Sequence, residues 1–98
     1  MARQVLVQYR VKPERVEEHE SLIREVFAEL ARSAPAGLRY AAFKRADGVS
    51  FAHVAFVTAD KNPLDAILAF KAFSERIKER CDVLPEVAEL TEVGTFGW

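Results

Sequence analysis

Residues 38–58 constrain the fold of this chain most. They form two apolar runs joined by Asp47 and Gly48. Asp-Gly between apolar runs is a strong hairpin signal, because a type I′ turn needs positive φ at both central residues. The sequence therefore predicts two antiparallel strands joined by a type I′ turn. The pairs that this register places opposite each other are Lys44 and Phe51, Ala42 and His53, and Tyr40 and Ala55.

Both faces of this hairpin are predicted to be apolar. Side chains alternate along a strand, so one face carries Leu38, Tyr40, Ala42, Phe51, His53, Ala55 and Val57. The other face carries Arg39, Ala41, Phe43, Ala52, Val54 and Phe56. An antiparallel sheet with one solvated face alternates more cleanly. Each side of the hairpin therefore needs a cover.

The rest of the chain supplies two more strands and two helices. Alternating apolar residues predict a first strand over residues 4–11 and a last strand over residues 86–96. Pro85, just before the last strand, indicates that the helix before it has ended. Helical spacing predicts a first helix over residues 13–32 and, after a short turn at 63–67 capped by Asn62, a second over 68–80. The order β-α-β-β-α-β predicts a ferredoxin-like α+β fold with an antiparallel sheet of order 4-1-3-2.

Two helices can cover only one face of this sheet. The other face is also apolar, so we expect a second copy of the chain to cover it, sheet against sheet. The predicted partner is thus the protein itself, as a homodimer.

Composition narrows the class of protein. The 98 residues are expected to form a single domain, 1–98, and the net charge of −1 without a basic block argues against nucleic acid and membrane partners. The apolar runs are shorter than the roughly 20 residues of a membrane span, and MARQVLVQYR lacks the pattern of a secretion signal. A single cysteine, Cys81, excludes an internal disulfide and fits a reducing, cytoplasmic location.

Several segments together resemble one known family. They are VKP at 11–13, GLRYAAFKRADGVSFAHVAF at 37–56, NPL at 62–64, AFKAF at 69–73, ERC at 79–81 and VGTFG at 93–97. In this order and spacing they resemble the antibiotic biosynthesis monooxygenase domain of the dimeric α+β barrel superfamily. The resemblance implies a homodimeric barrel with the helices outside. It also implies a monooxygenase that needs no cofactor and acts on a small hydrophobic phenolic, quinol or anthrone-type substrate.

The haem-degrading branch of that family fits this chain poorly. That branch uses an asparagine on the first strand, a tryptophan, and a histidine on the second helix. Here the first strand offers Gln8, the tryptophan is Trp98, and the second predicted helix has no histidine. The sequence therefore argues against haem degradation.

An oxygenase without a cofactor needs a base, a donor for the developing oxyanion, and a dry aromatic slot. His53 is the candidate base, with one ring nitrogen expected to face a cavity opened by the small residues Ala42 and Ala55. Tyr40 is the candidate donor, with Arg39 as an alternative on the opposite face. The candidate substrate-binding residues are Phe51, Phe70 and Phe73. No cofactor-binding or metal-binding residue is predicted.

Each of these residues also has a purely structural interpretation. A lone histidine among apolar residues is more often a hydrogen-bonded core residue, which applies to His53 and to His19 on the buried stripe of the first helix. The phenylalanines at helical spacing fit a core. Cys81 fits a small buried apolar residue, and Trp98 a contact with the partner subunit. The alternative function is a non-catalytic dimer that binds a small molecule or another partner.

Overall fold

The computed structural model describes residues 2–97, so Trp98 lies outside the described residues. Four strands form one antiparallel sheet: β1 (Arg3–Val11), β2 (Leu38–Lys44), β3 (Ser50–Val57) and β4 (Cys81–Glu89). The helices are α1 (Val16–Ser33), α2 (Leu68–Glu75) and α3 (Ile77–Arg80), and short 3₁₀ turns lie at Pro13–Arg15 and Pro63–Ala66. The strand order is β2-β3-β1-β4. This confirms the ferredoxin-like α+β fold and its predicted order.

The predicted register of the hairpin is confirmed, but the predicted turn type is wrong. Tyr40 pairs with Ala55, and Ala42 with His53, as expected. Asp47, however, lacks the positive φ that a type I′ turn requires, and Gly48 alone in this turn has one, at 79°. The Asp47 carboxylate instead accepts hydrogen bonds from the backbone N–H groups of Val49 and Ser50, at 3.0 and 2.8 Å. These bonds stabilise a longer turn with the same register.

The last strand begins earlier than predicted. β4 spans Cys81–Glu89 rather than 86–96, and Pro85 lies inside it. β4 is an edge strand that pairs only with β1, so the missing N–H of Pro85 is tolerated there. Residues 90–97 form no strand, although Leu90 N–H still donates to the Gln4 carbonyl at 2.8 Å.

The second helix is also shorter than predicted. The backbone leaves the helical region at Arg76 (φ −124°, ψ 25°), which separates α2 from α3. The predicted turn before α2 is confirmed, with Asn62 capping it by accepting from Leu64 N–H at 3.0 Å. None of the helices within residues 2–97 has the length and apolar character needed to cross a bilayer.

The core lies between the helices and one face of the sheet. Tyr9, Val11 and Phe51 of the sheet pack with Val26 of α1 and Phe73 of α2, and all five are buried. On the opposite face no helix packs, and the side chain of Phe43 is 58% exposed. The covered face carries the site described next.

Candidate functional site

A cavity of about 260 Å³ opens between the covered face of the sheet and helices α2 and α3. Its walls are mainly apolar, and five polar side chains reach it. The apolar side chains include Val5, Val7, Leu64, Phe70, Phe73 and Ile77; the polar ones are Tyr9, Tyr40, His53, Asn62 and Ser74. An apolar cavity with a few convergent polar groups is the usual form of a small-molecule site.

The structure brings together four of the five residues predicted from the sequence. Tyr40, His53, Phe70 and Phe73 all line the cavity. Phe51 does not line it. Its ring stacks on Tyr9 instead, with ring centroids 5.7 Å apart, and its side chain is buried. Phe51 therefore packs against Tyr9 and does not contact the cavity.

His53 is held by a tyrosine on each side. Its Nε2 lies 2.6 Å from Tyr9 Oη, and its Nδ1 lies 2.6 Å from Tyr40 Oη. The expectation that one ring nitrogen would face the cavity is thus wrong. The reason is the sheet: β3 lies between β1 and β2, so diagonal neighbours on both adjacent strands reach His53.

The hydrogen bonds continue beyond Tyr9 into the core. Tyr9 Oη also lies 2.6 Å from His19 Nε2, and Arg80 Nε donates to His19 Nδ1 at 3.0 Å. Five side chains thus form a continuous chain, which we call the relay. In order from the cavity inward they are Tyr40, His53, Tyr9, His19 and Arg80.

Sequence reasoning missed two members of the relay. Tyr9 lies in the first predicted strand and shares a face with its valines, and its hydroxyl on an otherwise apolar face is the signal that could have found it. Arg80 is the last residue of the second predicted helix. It is in fact 1% exposed. No local pattern distinguishes it from a surface arginine.

Burial keeps the relay neutral apart from its arginine. Burial lowers the pKa of His53 to about 4. Burial, followed by the neighbouring Arg80 charge, lowers the pKa of His19 to about 3. Burial likewise raises the pKa of Tyr9 and of Tyr40 above the ordinary tyrosine value. Both imidazoles are therefore uncharged at neutral pH, and both tyrosines keep their protons.

Arg80 is a buried cation without an anionic neighbour in contact. Besides His19, its guanidinium donates to the Phe73 carbonyl and lies 5.5 Å from the centre of the Phe73 ring. Among residues 2–97 no carboxylate lies within ion-pair distance of it. Burial lowers the pKa of Arg80 from its ordinary value.

Two further features bear on ligands. Cys81 is buried, and burial raises the pKa of its thiol, so it lies in the core as a protonated side chain. In the described part of the chain, no group of three or more His, Cys, Asp or Glu side chains is arranged to hold a metal ion.

The four-stranded sheet, its order and the helices on one face are the ferredoxin-like fold of antibiotic biosynthesis monooxygenase domains. A candidate antibiotic biosynthesis monooxygenase from Bacteroides thetaiotaomicron superimposes with a TM-score of 0.79 at 18% identity, over 94% of this chain and 90% of that one. SnoaB, a cofactor-independent oxygenase from Streptomyces nogalater, gives 0.67 at 20% identity, over 99% and 98%. Another antibiotic biosynthesis monooxygenase gives 0.68 at 24% identity, over 96% and 100%. The sequence matches no family model and no curated protein.

Proposed function

We propose that the protein is a cofactor-independent oxygenase that acts on a small hydrophobic phenolic, quinol or anthrone-type molecule in the cavity. One observation carries the proposal: Tyr40 and His53 are hydrogen-bonded to each other at 2.6 Å, and both line an apolar cavity with aromatic walls. The structural likeness to SnoaB, itself a cofactor-independent oxygenase, supports the same class of reaction.

The chemistry balances without an external reductant. An anthrone loses a proton to water, and its electron-rich anion transfers one electron to dioxygen. The radical pair combines at the methylene carbon, the peroxide takes a proton back from water to form a hydroperoxide, and loss of water leaves a carbonyl. One oxygen atom stays in the product, and the other leaves as water with the two hydrogens of the methylene group.

The side chains have separate roles in this scheme. Tyr40 places its hydroxyl at the substrate oxygen where negative charge develops, which is the kind of interaction that lowers a barrier most. His53 holds that hydroxyl in position. It does not store the substrate proton, because its pKa is about 4 and both its nitrogens are occupied. Phe70 and Phe73 form walls that accept a flat aromatic molecule and exclude water.

The direct test is oxygen uptake with an anthrone and with a hydroquinone in air. We expect protein-dependent uptake with both, the anthrone giving the anthraquinone and water, and the hydroquinone giving the quinone and hydrogen peroxide. The dimethyl ether of the hydroquinone, which has no ionisable O–H, is expected to give none. Binding of the hydroquinone without faster uptake would replace the oxygenase with a non-catalytic, small-molecule-binding module.

We propose further that a second copy of the chain covers the open face of the sheet. Val54 lies at the centre of that face, on an interior strand. Val54→Lys is expected to convert a particle of twice the chain mass into a monomer or an unfolded chain, because burying an unpaired charge is costly. Light scattering measures the mass. Glu25→Lys, at an exposed position of α1, is the matched control and should stay dimeric. A wild-type monomer at micromolar concentration would contradict the proposal.

A further inference from the structure

The directions of the hydrogen bonds in the relay follow from Arg80 together with the burial of Tyr9. An arginine side chain has N–H donors and no acceptor, so His19 Nδ1, 3.0 Å from Arg80 Nε, must be an acceptor without a proton. A neutral His19 then carries its proton on Nε2 and donates it to Tyr9 Oη. If His19 were protonated on both nitrogens, its Nδ1–H would point at the Nε–H of Arg80.

The same logic continues to the cavity. Tyr9 has one hydroxyl proton, its oxygen already accepts from His19, and its side chain is 4% exposed. Because a buried O–H needs an acceptor, it donates to His53 Nε2. A neutral His53 therefore carries its proton on Nδ1 and donates it to Tyr40 Oη. Among the four uncharged side chains of the relay, the hydroxyl proton of Tyr40 is the one left without an acceptor among the described residues. Tyr40 thus meets a ligand as a donor.

The opposite direction at His53 is disfavoured by the burial of Tyr9. If Tyr40 donated to His53, a neutral His53 would donate from Nε2 to Tyr9 Oη, which would then accept from both histidines. The Tyr9 O–H would be left without an acceptor among the described residues in a side chain that is 4% exposed, and an unsatisfied buried donor is costly. Tyr40 is only half-buried, so the free O–H costs less there.

The positive charge of Arg80 favours a ligand that is negatively charged as well as one that accepts a hydrogen bond. A buried cation without an anion in contact is costly, and the aligned hydrogen bonds lead from this cation to the cavity. An anionic oxygen at Tyr40 receives the donor end of the relay and offsets the buried positive charge. A ligand oxygen that must donate its own proton finds no acceptor in Tyr40's present orientation.

We propose that Arg80 is a positioning residue that fixes the direction of the relay, so that Tyr40 is an obligate donor and the cavity selects the ionised form of a phenol or enol. This inference rests on the cavity being the substrate site of the proposed oxygenase. It adds the ionisation state of the bound molecule and the residue that determines it.

The direction can be measured without any substrate. Long-range proton–nitrogen NMR of the histidine rings distinguishes the two neutral tautomers. We expect His53 to carry its proton on Nδ1 and His19 on Nε2. The Nδ1–H form is the less common one for a free neutral histidine, so its presence at His53 is diagnostic. A proton on His53 Nε2 in the wild-type protein would overturn the proposal whether or not any variant folds.

Two substitutions at Arg80 distinguish its effect on the hydrogen-bond direction of the relay from the packing of its side chain. Arg80→Lys keeps a side chain that only donates, so His53 should remain in the Nδ1–H form. Arg80→Met keeps much of the length but removes the donor, so both directions become available and His53 should show a mixture of tautomers. A folded Arg80→Met protein with His53 entirely in the Nδ1–H form would show that Arg80 does not determine the direction.

Selection of the anion is tested with p-nitrophenol, whose ionised form is yellow. We expect the wild-type protein to bind the anion about 10–100-fold more tightly than 4-nitroanisole, since a hydrogen bond to a charged group is worth that much. Tyr40→Phe should remove the preference. Equal binding of the two probes would overturn anion selection. Neither readout involves turnover, so a lack of oxygen uptake would refute the oxygenase and leave this result standing.

Discussion

Replacing Tyr40 by Phe is expected to lower kcat for oxygen uptake by about 10²–10³-fold, the usual loss when one oxyanion donor is removed. The substitution removes only the hydroxyl. The phenyl ring can keep its stacking on Phe27, where the centroids are 5.1 Å apart, so the fold should persist. The measurement is uptake at saturating anthrone, with circular dichroism confirming the fold. KM should change less than kcat, because anthrone binds as a neutral ketone and the hydrogen bond from Tyr40 strengthens only as its oxygen becomes charged.

A matched substitution at His53 tests the division of roles. If His53 were the base, as the sequence alone indicated, His53→Ala would lose about 10²–10⁴-fold in rate, and this loss would add to that of Tyr40→Phe in the double variant. If His53 only holds Tyr40, Tyr40→Phe should remove most of the rate, and combining it with His53→Ala should add little. A folded Tyr40→Phe protein with unchanged kcat would remove this hydroxyl from the mechanism.

The sheet could be predicted because the pattern that determines it lies in residues close together in the sequence. Alternation of side chains and the length of the turn set the hairpin register, and that register places Tyr40 and His53 on one face. The turn type failed for a reason that alternation does not encode, namely three hydrogen bonds to the Asp47 carboxylate. The predicted start of β4 was wrong because proline is tolerated in a strand at the edge of a sheet.

The site could be predicted only in part because most of its contacts are distant in sequence. Tyr9 and His53 are 44 positions apart, and His19 and Arg80 are 61 apart. No periodicity joins such residues, so the pattern found the histidine and one tyrosine but not the groups that orient them. Burial of Arg80 in particular depends on where the chain turns from α3 into β4.

Acidification is expected to destabilise the protein strongly before its carboxylates titrate. The ordinary histidine pKa is 6.5, and burial lowers it to about 4 for His53 and, together with the Arg80 charge, to about 3 for His19. Between these values the unfolded chain binds protons that the folded protein excludes, so stability falls as the pH falls below 6.5. From about pH 8 to about pH 5 the free energy of unfolding should drop by about 2 kcal/mol per histidine, or about 4 kcal/mol in total.

Urea unfolding at several pH values measures this effect and assigns it to the relay. The titratable groups hydrogen-bonded to the two rings are Tyr9, Tyr40 and Arg80, none of which changes charge in this range, so the slope belongs to the histidines. Glu18 acts on His19 through its charge. Glu18 and Asp47, whose pKa values are lowered by hydrogen bonds from Arg15 and Ser50, lose their stabilising contributions only below this window. His19→Gln removes one titrating ring and should halve the pH dependence to about 2 kcal/mol. Stability that stays constant between about pH 8 and about pH 5 would mean that the histidines take up protons in the folded state. The exclusion of protons from the folded relay would then be wrong.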